Sequence, residues 1–108
     1  MGDGEATASA VECALDATFR LTIADDFQVT RPVVATETEV MTTGEGPTME
    51  EAAMVALNAM ADLMVDRPGI HHTDAAMFIA TAADVRTGLA GHPPNTMRVA
   101  IPRSMLVV

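Results

Sequence analysis

The sequence predicts an α+β fold, a small antiparallel sheet of three or four strands with two helices packed on one face. The run from Val11 to Ile23 alternates apolar and polar residues with the period of a half-buried strand. Thr48-Met49-Glu50-Glu51 has the form of a capping box and opens a stretch rich in Ala and Met. Shorter alternating stretches bounded by Gly and Pro lie on both sides of that helical region.

In the first run Val11, Cys13, Leu15, Ala17, Phe19, Leu21 and Ile23 fall on one side, and Glu12, Asp16, Thr18, Arg20 and Thr22 on the other. The apolar side requires a covering layer, and only the Ala- and Met-rich segments are long enough to provide it. Asp25-Asp26 closes the run. Phe27 to Ala35 reads as a second extended stretch, broken at Arg31-Pro32, where proline suits an edge or a bend. Thr36 to Thr43 alternates again, with Glu37 and Glu39 opposed to Thr38, Val40 and Thr42, until Gly44-Glu45-Gly46-Pro47 stops it.

Thr48 is placed to accept a hydrogen bond from the Glu51 amide while the Glu51 carboxylate reaches back, so a helix is expected from here. Met49, Ala52, Ala53, Ala56, Met60, Leu63 and Met64 form its apolar stripe, Glu51, Asn58 and Asp62 mark the opposite face, and Arg67-Pro68-Gly69 ends it. Thr73 is the next N-cap candidate. Asp74 to Asp84 is apolar on nearly every side, which predicts a second helix more deeply buried than the first. Gly91 to Asn95 is a turn, and Met97 to Ile101 a last short strand that Pro102 terminates.

Composition limits the classes of function. With 108 residues the chain is at most one domain. Only 3% of it is aromatic, so the core is built from Ala, Val, Leu, Ile and Met. The formal net charge is −9 and every positive side chain is Arg, a balance that disfavours nucleic acid and membrane surfaces as partners. The single cysteine, Cys13, excludes an internal disulfide. It also leaves the compartment open, with an ordinary cytoplasm the simplest expectation, and the sequence shows neither a secretory h-region nor a spanning run.

Gly2-Asp3-Gly4-Glu5, with Glu12 at the start of the following strand, resembles the central motif of the acetamidase/formamidase family. Thr42-Thr43-Gly44, the helix from Thr48, Ala82-Ala83-Asp84-Val85-Arg86 and Ile101-Pro102-Arg103-Ser104 resemble that family's C-terminal part, in the same order. The resemblance covers essentially the whole chain. It implies that residues 1–108 are a single C-terminal fragment of a larger, sheet-rich fold, whose N-terminal half and upstream His segment are missing. The connector Ala6 to Ala10 is poorer in glycine than the family's usual one, and Gly88 to Asn95 departs from its usual pattern.

What the resemblance implies for function is hydrolysis of the carbon–nitrogen bond of short linear amides, with release of ammonia. Two other amidase solutions, a Cys-Glu-Lys set and a Ser-Ser-Lys set, require a Lys; this chain has none, although the missing half could supply one. The catalytic candidates are Asp3 and Glu5: Glu5 to take a proton from water, Asp3 to orient that water or help hold a divalent metal ion, a cofactor the sequence leaves unidentified. The flanking glycines let backbone approach substrate closely. The implied partners are a small amide substrate, the missing N-terminal half and further copies of the chain in a homo-oligomer. The alternative is a non-catalytic α+β module that binds a ligand or a subunit.

Each singled-out residue also has a plainer role. Without the resemblance, Asp3 and Glu5 read as a solvated turn. Glu12 reads as a surface acid and Cys13 as a buried, inert thiol. His71, His72 and Asp74 suggest a metal site, yet adjacent histidines point apart in most backbones. Gly44-Glu45-Gly46 lacks the basic partner of a phosphate loop.

Overall fold

The computed structural model describes residues 5–7, 9, 11–25 and 28–106. The elements run β1 (Val33–Ala35), β2 (Glu39–Gly46), α1 (Met49–Val65), α2 (His72–Ala82), β3 (Asp84–Leu89), β4 (Asn95–Pro102) and a final 3-10 turn, Arg103–Met105. The strands form one antiparallel sheet in the order β1-β2-β4-β3. The central pair, β2 with β4, is in register from Glu39↔Pro102 to Gly46↔Asn95. Thus β2 and β3 run parallel with β4 inserted between them, and both helices lie in the connection from β2 to β3. The architecture is the predicted α+β arrangement.

Helix α1 forms where its chemistry places it. Thr48 is extended at the N-cap (φ −121°), the Glu51 amide donates to Thr48 Oγ1 at 3.2 Å, and the Thr48 amide donates to Glu51 Oε2 at 3.2 Å. Every fourth residue is then buried, at Ala52, Ala56, Met60 and Met64. The two alanines sit where helix and strand are closest. A Cβ at Gly44 would overlap the Ala52 carbonyl oxygen and the Ala56 amide nitrogen, and the Thr42 hydroxyl donates to the Ala56 carbonyl at 2.8 Å. Past this contact Met60 and Met64 fill the space against Val40, Val99, Ile101 and Leu106, the core of the molecule.

The structure corrects several sequence expectations. Residues 11–25 belong to no strand or helix, and Val11, Leu15, Phe19, Leu21 and Ile23 are 71–92% exposed, with Cys13 exposed among them. The alternation is that of a strand, but a strand exists only when its backbone groups find a ladder partner, and the described sheet offers none to this segment. The second stretch is reduced to the three residues of β1, beginning directly after Pro32; Phe27 lies outside the described residues. Helix α2 is less buried than α1, not more. Only Ala75 is buried in it, whereas Met77 and Phe78 are 65% and 47% exposed. An all-round apolar helix signals layers on more than one side, and among the described residues α2 packs chiefly on α1, with a smaller contact to β4.

Strand β3 went unpredicted. Its inward and outward residues do not separate cleanly in sequence, and the pairing with β4 shifts between Thr87 and Leu89. β2 also continues through Gly44-Glu45-Gly46, where glycines that read as a stop are instead the residues small enough to pass under α1.

The capping box generates a direct test. Replacing Thr48 with Ala removes the acceptor of the Glu51 amide and should cost about 1 kcal/mol of unfolding free energy. An unchanged midpoint in chemical denaturation would contradict the cap.

Candidate functional site

Of the two catalytic candidates, Asp3 lies outside the described residues. Glu5 is partly buried and holds a left-handed backbone conformation, φ 40°, which a non-glycine residue seldom adopts. Glu12 is exposed on segment 11–25.

The histidines do not assemble a metal centre. His71 is the N-cap of α2, and its backbone amide donates to Asp74 Oδ2 at 3.3 Å, which occupies that carboxylate locally. His92 Nδ1 lies 3.2 Å from the Pro93 carbonyl. Among the described residues no three His, Cys, Asp or Glu side chains converge as a metal-ligand set, so the described part of the chain does not furnish a complete site for a divalent ion.

Two concave surfaces flank the helices. One, of about 190 Å³, lies between the segment before β1 and the C-terminal half of α1; Val29, Val33 and Leu63 line it together with Arg31, Asp62 and Asp66. The other, about 330 Å³, is an apolar groove along α2 lined by Asp74, Met77, Phe78, Thr81 and Met105. Neither includes Glu5. No helix among the described residues is long and apolar enough to cross a membrane.

The most developed polar constellation was not singled out from sequence. Arg86 on β3 reaches across β4 to Glu39 on β2, with Nη2 donating to Oε1 at 2.7 Å and Nη1 to Oε2 at 3.0 Å. Its Nη2 also donates to Asp84 Oδ2 at 2.8 Å. The Arg86 and Glu39 side chains are each 32% exposed. This forked pair holds the Glu39 carboxyl below its ordinary value of 4.5, chiefly through the Arg86 hydrogen bond, and holds the Arg86 guanidinium above its own ordinary value. A general base at neutral pH needs a shift in the other direction. The cluster ties β2 to β3 across β4. One signal was legible: Glu39 alternates against the buried Val40, and Arg86 closes one of the motifs that carry the family resemblance.

Because the folded-state value of Glu39 is depressed, its contribution to stability is fully present above the unfolded value of 4.5 and is lost as pH falls through the lower, folded-state value. Glu39→Gln should flatten the fall of Tm with acidification below pH 4.5. Parallel acid profiles for the two proteins would show that the pair does not couple to folding.

No family model matches the chain, and no curated protein matches it in sequence. Solved structures do. A predicted acetamidase/formamidase from the thermophile Thermoanaerobacter tengcongensis superposes with a TM-score of 0.72 at 20% identity, covering 76% of this chain and 27% of that one. An acetamidase from Yersinia enterocolitica gives 0.71 at 21% identity, over 78% of this chain and 26% of that one. An acetamidase from Bacillus halodurans gives 0.60 at 25% identity, over 71% and 27%. The chain thus spans about a quarter of the length of the acetamidases it matches. At these identities the likeness is one of fold, and it agrees with the motif resemblance: the four-stranded sheet with two helices on one side is the fold of a part of the acetamidase/formamidase structures.

Proposed function

We propose that this chain is the helix-and-sheet part of an amide hydrolase of the acetamidase/formamidase type, acting on the carbon–nitrogen bond of short linear amides. The observation that carries the proposal is the fold likeness to three such structures. In the proposed reaction a water molecule gives a proton to the Glu5 carboxylate, and its oxygen attacks the amide carbonyl carbon. The carbon–nitrogen bond breaks, and the departing nitrogen takes up a proton and leaves as ammonia. Two local features support Glu5 as the base: its backbone is held in a left-handed conformation of the kind that clusters at active sites, and the residue is partly buried. Asp3 is proposed to orient the water or to contribute to a metal site completed elsewhere.

Since the matched structures are about four times longer, the residues proposed to bind substrate and to stabilise the oxyanion belong to the part of the enzyme that this chain does not span. The 108-residue chain alone is then expected to release no ammonia from acetamide or formamide. The second reading, a non-catalytic module for ligand or subunit binding, is favoured by one feature, the exposed apolar face of segment 11–23.

Glutamine keeps nearly the size of glutamate and lacks its basicity, so Glu5→Gln separates catalysis from folding. In an amide-hydrolysing protein that contains this chain, the substitution should lower kcat at least 100-fold, the lower end of the roughly 100- to 10,000-fold typical of a lost general base, with Tm unchanged. Retention of most of the turnover would make the acidic turn structural. Hydrolysis by the isolated chain as a monodisperse monomer would contradict the division of the site.

A further inference from the structure

We draw no further inference here: the strongest candidate, the apolar groove along α2 lined by Asp74, Met77, Phe78, Thr81 and Met105, is an unpartnered face of a chain that spans about a quarter of the structures it matches, and nothing in the structure shows what covers it.

Discussion

The seat of α1 on β2 is the constraint on which the rest of the structure depends. A helix backbone and a strand backbone touch at Gly44 because neither side puts a bulky side chain between them: the strand has no Cβ there, and the helix offers Ala52 and Ala56. The Thr42 hydroxyl, buried beside this contact, is satisfied by the Ala56 carbonyl. Left without a partner, such a group would cost roughly 1–3 kcal/mol. Once that end of the helix is pinned, its axis is set, and Met60 and Met64 bridge the wider gap to Val99 and Ile101 with flexible side chains suited to irregular space.

The motifs that carry the family resemblance are joints of this frame. Thr42-Thr43-Gly44 is the helix-to-strand contact. Asp84 and Arg86, within Ala82-Ala83-Asp84-Val85-Arg86, form the ion-pair cluster that ties β3 to β2 over the intervening strand. Ile101-Pro102-Arg103-Ser104 ends the sheet, and there the Arg103 amide donates to the Thr38 carbonyl at 2.8 Å while its guanidinium donates to the Thr36 carbonyl at 2.9 Å. A resemblance built on such residues speaks for fold. It speaks for chemistry only through the acidic turn, and of that turn the described residues contain Glu5 in its left-handed conformation.

How much was legible follows from what each pattern encodes. Helix α1 was readable in start, face and end because its signals are local: a cap three residues from its partner and a stripe at helical spacing. β4 was readable for the same reason, as a short alternation with a proline stop. Segment 11–23 and α2 were readable only in what they require. Alternation or all-round apolarity states how many sides of an element must be covered, but not which residues cover them, and the described residues leave segment 11–23 and much of α2 exposed. β3 was illegible because its membership in the sheet comes from pairing with β4 on one side and the reach of Arg86, both long-range. The candidate site was legible only through the resemblance, since an acidic glycine turn by itself is an ordinary solvated turn.

Gly44→Ala tests the central claim most directly, because the sign of its effect is diagnostic. Gly44 does not have positive φ, so with open space around it the substitution would be neutral or would stabilise by about 0.4–1 kcal/mol through the unfolded chain. If α1 is seated on β2 as described, the added methyl meets backbone that cannot rotate away. Denaturant unfolding should then show a loss of about 3 kcal/mol or more, at or beyond the upper end of ordinary overpacking costs. A midpoint unchanged or raised would mean that the helix does not rest on the strand at Gly44, and the account of the fold built on that contact would fail.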